Sequence, residues 1–253
     1  MSETERALGT VFLVGLGPGD AAHVTPEARS ALKKADVVIG HPDSLAQVSR
    51  FTRGKETQGI SQNPLERARL AVERAASGAD TAIVSPGHPG IFAIASTLFS
   101  YLKENNIDIR VEVIPGLTLA DYAAARLGSP LGADHAVISL GDRAGDLRDT
   151  KKRLMAAFEA DFAVVIYNPR GKLGNSRLGL LLKIAAGFRT PNTPVGMITA
   201  AGGGKEAVKI TTLGELSSKD VRANTLLIIG SSATYIYRGR MITPRPYEEG
   251  VGY

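Results

Sequence analysis

Val11-Phe12-Leu13-Val14-Gly15-Leu16-Gly17-Pro18-Gly19-Asp20 carries the reading of the fold. Four consecutive apolar residues halted by a glycine-rich turn describe a strand buried on both faces, as in a parallel sheet covered by helices. Just beyond, Thr25-Pro26-Glu27 has the form of a helix start. It offers a hydroxyl N-cap, a proline in the first turn and a carboxylate at the positive end of the helix dipole. That helix should reach about residue 35 and feed a second strand at 37–40. The rhythm continues with a helix at 64–76, a strand at 81–84, a helix at 91–104 and a strand at 110–114. In the second half, strands are expected at 136–140, 162–167, 195–199, 208–211 and 226–229, with helices at 147–159 and 175–186. Strands alternating with amphipathic stretches predict an α/β fold built on mostly parallel sheets. A boundary at 115–120 divides the chain into two α/β domains, 1–117 and 118–253.

Composition narrows the chemistry. Of 253 residues, 43% are hydrophobic and 22% charged, which suits a globular protein. No cysteine is present, so disulfides, thiolate metal sites and thiol nucleophiles are excluded. Thirty Lys and Arg against 25 Asp and Glu leave a net charge of +5, compatible with a polyanionic partner. That partner is a nucleic acid or a small molecule rich in carboxylates. Lys and Arg are dispersed and no aromatic-rich RNA-binding stretch occurs, which disfavours nucleic acid. No run approaches the roughly 18 apolar residues of a membrane helix. Glu3, Glu5 and Arg6 interrupt the first ten residues, leaving no apolar signal core. The expected location is cytoplasmic, with no membrane partner.

Three turns rich in glycine and proline follow predicted strands: Gly15–Asp20, then Ser85-Pro86-Gly87-His88-Pro89-Gly90, then Pro115-Gly116-Leu117-Thr118. Parallel strands would bring them to one sheet edge, where open α/β folds bind ligands. The first is not the dinucleotide fingerprint, because the third glycine position is Asp20 and Pro18 lacks an N–H for pyrophosphate. No G-x-x-x-x-G-K-[ST] phosphate loop occurs either. Backbone and apolar side chains at such an edge suit a neutral or zwitterionic small molecule, and the alternative is a set of tight turns with no ligand. His23, His41, His88 and His135 show no metal-binding spacing, and no G-x-S-x-G elbow is present. Group transfer from an activated cosubstrate fits a chain with no nucleophile and no metal.

These turns, with Leu32–Gly40 (LKKADVVIG) and Val113–Thr118, resemble the tetrapyrrole (corrin/porphyrin) methyltransferase family over essentially the whole chain. Within it, five later stretches are most similar to the precorrin-3B C17-methyltransferase branch. They are Pro130–Leu140, Ile166-Tyr167-Asn168-Pro169-Arg170-Gly171-Lys172, Lys209–Leu216, Ile229–Thr234 and the tail Gly239–Arg245. The resemblance implies two α/β domains with the cosubstrate cleft between them, S-adenosylmethionine as methyl donor, and a homodimer. It implies methylation at C17 of a corrinoid precursor (precorrin-3B or cobalt-factor III) with ring contraction. Another methyltransferase of the same fold, or a non-catalytic corrinoid-binding paralogue, is the alternative.

Family positions for the donor map onto Pro18, His88, Ile91, Phe92, Thr118, Leu119, Tyr167, Asn168, Ala200, Ala201, Asn224 and Thr225. Asp20 is a candidate for proton transfer, with helix capping as its alternative. Arg143, Arg170 and Lys172, just past strand ends, are candidates to hold the carboxylates of a tetrapyrrole. One position departs from the family. The usual Gly-Asp-Pro-Gly turn reads Gly87-His88-Pro89-Gly90, replacing an acceptor-only carboxylate by an imidazole that accepts only when neutral.

Overall fold

The computed structural model describes residues 8–141, 145–170 and 175–245. The chain divides after Leu119 into two compact units.

The first unit contains β1 (Val11–Gly15), a 3-10 turn (Ala21–His23), α1 (Pro26–Lys34), β2 (Val37–Gly40) and α2 (Pro42–Val48). It continues with β3 (Glu56–Gly59), α3 (Pro64–Ala76), β4 (Thr81–Ser85), α4 (Ile94–Glu104) and β5 (Val111–Ile114). The strands form one sheet in the order β3-β2-β4-β1-β5, and every pairing is parallel. The period-two geometry of a strand sends alternate side chains of β1 to opposite faces. Val11 and Leu13 enter a core with α3 and α4, while Phe12 and Val14 enter another with α1 and α2. Both faces are therefore covered, which explains why β1 reads as an unbroken apolar run. α1 starts as its sequence indicates: Thr25 Oγ1 accepts from Ala28 N at 3.1 Å and Pro26 occupies the first turn.

α5 (Leu119–Leu127) opens at the boundary and leads into β6 (Gly128–Ser129) and β7 (His135–Ser139). Next come α6 (Leu147–Glu159), β8 (Ala163–Tyr167), α7 (Asn175–Phe188), β9 (Pro194–Thr199), β10 (Ala207–Thr212) and β11 (Thr225–Ile229). A hairpin of β12 (Tyr235–Tyr237) and β13 (Arg240–Ile242) closes the described chain and forms a small sheet with β6. The main sheet has the order β10-β9-β11-β8-β7. Here the parallel expectation holds only for β7 with β8, the pair joined through helix α6. β10 follows β9 as a hairpin and pairs with it antiparallel, and β11 inserts antiparallel to both β9 and β8. α6 and α7 pack over one face through Leu154, Phe158, Leu178 and Leu181. On the other face Leu127 of α5 sits over Gly196, where a Cβ would lie 2.4 Å from Leu127 Cδ1.

Boundaries follow the sequence closely for β2, α1, α3 and α6. The fourth helix starts three residues later than its apolar pattern suggests, at Ile94, because Phe92 has φ +50 and cannot belong to a right-handed helix.

Candidate functional site

In the first unit the three turns meet at the carboxyl edge of the sheet, as their parallel strands require. Gly17 and Gly87 pair in an antiparallel bridge, with Gly87 N donating to Gly17 O at 2.8 Å. Gly116 presses against both other turns: a Cβ there would lie 2.1 Å from Gly87 O and 2.7 Å from Gly15 C. These glycines thus let backbone pack on backbone, a purpose apart from any approach to a ligand. Leu119 joins them, since a Cβ at Gly87 would lie 3.2 Å from Leu119 Cδ1. Gln47 of α2 braces the first turn by donating to Leu16 O at 3.0 Å.

The structure therefore gathers Pro18, His88, Ile91, Phe92, Thr118 and Leu119 along one edge. Pro18 is buried, whereas Ile91 and Phe92 are exposed, Phe92 at 55%. His88 Nδ1 accepts from Gly90 N at 2.9 Å, and its carbonyl accepts from Ile91 N at 3.2 Å. A backbone N–H can only donate, so Nδ1 is the acceptor in this bond and supplies the turn with what a carboxylate would offer. Asp20 is exposed and caps the 3-10 turn, its Oδ1 accepting from Ala22 N at 2.7 Å.

The second unit forms a comparable edge. Leu227 opposes Ile166 and Thr225 opposes Thr199, so the ends of β8 and β9 lie beside the start of β11. Tyr167, Asn168, Ala200, Ala201, Asn224 and Thr225 consequently fall together. Ala200 N donates to Asn224 O at 3.2 Å, and Thr199 and Thr225 hydroxyls are 2.9 Å apart. Thr225 is buried and its Oγ1 also accepts from Arg222 N, so this side chain is spent on the turn itself. Asn168 Nδ2 donates to Ser139 Oγ at 3.2 Å, and Tyr167 OH accepts from Ala120 N at 3.0 Å at the start of α5. Arg170 lies three residues past β8 and is half-buried, while Arg143 and Lys172 lie outside the described residues.

Three residues absent from the sequence-based set also converge on this edge. Tyr122 OH is 2.7 Å from Glu206 Oε2, and Glu206 Oε2 accepts from Gly202 N at 2.6 Å. Arg126 Nη2 donates to Tyr122 OH at 2.8 Å, and its Nε pairs with Glu206 Oε1 at 3.1 Å. Burial, followed by the bond to Glu206, raises the Tyr122 hydroxyl above its ordinary pKa. No sequence spacing announces this trio, because 84 residues separate Tyr122 from Glu206.

Backbone strain picks out the same edges. Among the described residues, six non-glycine residues have positive φ, and Phe92, Asn168 and Ala200 are three of them, at +50, +49 and +52. An alanine or a phenylalanine in this region costs on the order of 1–3 kcal/mol, and such strain concentrates at functional sites.

The tetrapyrrole (corrin/porphyrin) methylase profile matches residues 10–217. This chain belongs to that family. A probable cobalt-factor III C17-methyltransferase of Salmonella typhimurium is 36% identical over 237 residues, covering 93% of this chain and 98% of the relative. Cobalamin biosynthesis protein CobIJ of Mycobacterium tuberculosis is 38% identical over 96% of this chain, which spans 50% of that longer relative. The crystal structure of the methyltransferase CobJ gives a TM-score of 0.88 at 31% identity, covering 93% of this chain and all of that one. Membership of the methylases agrees with two sheet edges that carry backbone groups, apolar side chains and few charges.

Proposed function

We propose that this chain transfers a methyl group from S-adenosylmethionine to C17 of a corrinoid precursor, cobalt-factor III or precorrin-3B, with ring contraction, in cobalamin biosynthesis. The observation that carries the donor side is the left-handed trio Phe92, Asn168 and Ala200. Each lies in a segment where the family holds its donor, and Phe92 and Ala200 are held in a conformation that their own residue types disfavour, while asparagine tolerates it. The acceptor side is supported by the relatives named for cobalt-factor III, one of them matched along 98% of its length.

The residues present fit such a donor. Exposed Ile91 and Phe92 offer apolar surface to a nucleoside, while the turns offer backbone N–H and C=O groups without a phosphate cradle. The donor supplies an activated sulfonium methyl, so the protein need contribute no nucleophile. Its task is alignment: holding donor and acceptor so that the acceptor carbon meets the methyl in line, and keeping water out. Pro18, His88, Thr118, Leu119, Tyr167, Asn168, Ala201, Asn224 and Thr225 complete the donor set, the buried ones through backbone or packing. His88 is engaged with Gly90 and serves the turn as an acceptor through Nδ1. Asp20, exposed beside the first turn, is the group assigned to move a proton at the acceptor. Arg143, Arg170 and Lys172 are assigned to the acceptor's carboxylates, and the working form is a cytoplasmic homodimer. Among the described residues no helix is long and apolar enough to cross a membrane.

The test is calorimetric titration with S-adenosylhomocysteine, the demethylated donor. Binding near one per chain with a micromolar or tighter constant, about −8 kcal/mol, is the expected result. No detectable heat at several temperatures would remove the donor assignment.

A further inference from the structure

We propose that Tyr122 and Glu206 are positioning residues for the methyl donor, locking the Ala200–Gly202 turn to the first turns of α5. The inference rests on the donor reading above. Glu206 belongs to the connection between β9 and β10, and its side chain is 18% exposed. A single oxygen, Oε2, accepts from both Gly202 N and Tyr122 OH, at 2.6 and 2.7 Å. The direction of these bonds is set. Arg126 can only donate, and it donates to Tyr122 OH, so the phenol hydrogen is turned toward Glu206. Arg126 also pairs with Oε1, which leaves the carboxylate neutralised inside its own network.

The backbone this network holds is one that would otherwise relax. Ala200 stands at φ +52 and Gly202 at φ +70, with Gly203 N closing back on Ala200 O at 3.1 Å. A left-handed alanine persists only when its surroundings over-determine it. Ala200 N is tied to Asn224 O on one side, and Glu206 holds Gly202 N on the other. The same helix governs a second donor segment, because Ala120 N donates to Tyr167 OH. One stretch of α5, from Ala120 to Arg126, thereby fixes Tyr167 directly and Ala200–Gly202 through Tyr122 and Glu206. Tyr122 is only 5% exposed, so it acts through the turn and not by touching a ligand.

A neutralised carboxylate predicts equal effects on charged and uncharged donors. The purified full chain and its Glu206→Ala, Glu206→Gln and Tyr122→Phe variants are titrated with S-adenosylmethionine and S-adenosylhomocysteine, and thermal unfolding is recorded for each. Glu206→Ala is expected to weaken both ligands by the same factor, roughly ten- to hundredfold, the loss of charge-assisted bonds. Glu206→Gln, whose amide oxygen still accepts from Gly202 N, falls between it and the wild type, and Tyr122→Phe loses a few-fold, about the size of a neutral hydrogen bond. The donor KM rises while kcat stays within about threefold, as expected for lost ground-state binding. Unchanged affinities in Glu206→Ala overturn the proposal, as does a loss confined to S-adenosylmethionine, which would mean direct attraction of the sulfonium. If Glu206→Ala does not fold, the graded losses in Glu206→Gln and Tyr122→Phe decide the matter. Wild-type protein that binds neither ligand overturns the donor reading and this inference with it. Wild-type binding with indifferent variants overturns the positioning role alone.

Discussion

His88 Nδ1 accepts from the Gly90 N–H, the bond an aspartate would accept in the same turn. The account therefore predicts that His88→Asp changes affinity for S-adenosylhomocysteine by less than about threefold, since one acceptor replaces another. His88→Ala leaves that N–H without its acceptor and should cost about 1 kcal/mol of stability in denaturant titration. A large gain in affinity for His88→Asp would instead mark the imidazole as damage to the turn. Phe92 separates donor binding from stability. Glycine relieves its left-handed backbone and loses little packing from a half-exposed ring. Phe92→Gly should thus leave the melting temperature within a few degrees while weakening the donor product about tenfold or more, the loss of the apolar surface that its ring offers a nucleoside. Gly116→Ala should do the reverse of a local change. The added carbon cannot fit against Gly87 O, so all three turns must shift, costing about 1–3 kcal/mol or more in thermal unfolding. That glycines cluster at these turns is legible in the sequence, but the partner of each is not: Gly116 meets Gly15 and Gly87 only after the strands are in register.

Elements with their own start and stop signals are the ones the sequence makes plain. α1 and α3 carry a side-chain N-cap and a first-turn proline, and both begin where those residues say. α2 also carries a side-chain cap, from His41, and a first-turn proline, but it is short and lies in a polar stretch with the edge strand β3, and α5 follows a turn without a periodic apolar face strong enough to announce it. Between α6 and β8 a different kind of constraint operates. Buried Arg189, its side chain 3% exposed, donates to the carbonyls of Phe158, Phe162, Phe188 and Gly230 and pairs with Asp161 at 3.0 Å. Burial pushes the Asp161 carboxyl up, but hydrogen bonds from Ser232 and the Arg189 charge outweigh it, and the pKa lies below the ordinary value. A depressed carboxylate pKa stabilises the fold above its unfolded value, and that contribution disappears as pH falls through the folded value. Asp161→Asn retains a residue suited to φ +55 and loses the charge together with one of the two acceptor oxygens that serve Ser232. Its melting temperature should lie below wild type at neutral pH, by about 1 kcal/mol or less since Asp161 is 45% exposed. The difference should close in acid. A gap that widens with acidification contradicts this assignment.

At the scale of the molecule, alternation of strands and helices identifies an α/β chain with mostly parallel sheets, and in the first unit every pairing is indeed parallel. It could not show that β11 runs against both of its neighbours, because strand direction depends on connections whose lengths alone do not choose a side. The site is divided the same way. Turns at strand ends are visible in the chain, whereas the Tyr122–Glu206 lock exists only once β9, β10 and α5 are placed. The central claim is methyl transfer to C17 of a corrinoid precursor, and it is tested most directly by incubating the purified chain with S-adenosylmethionine, methyl-labelled with carbon-13, and cobalt-factor III. The account predicts a product heavier by one labelled methyl, with the label bonded to C17 in its NMR spectrum. Donor turnover without a labelled corrinoid, or a label at another ring carbon, would contradict it.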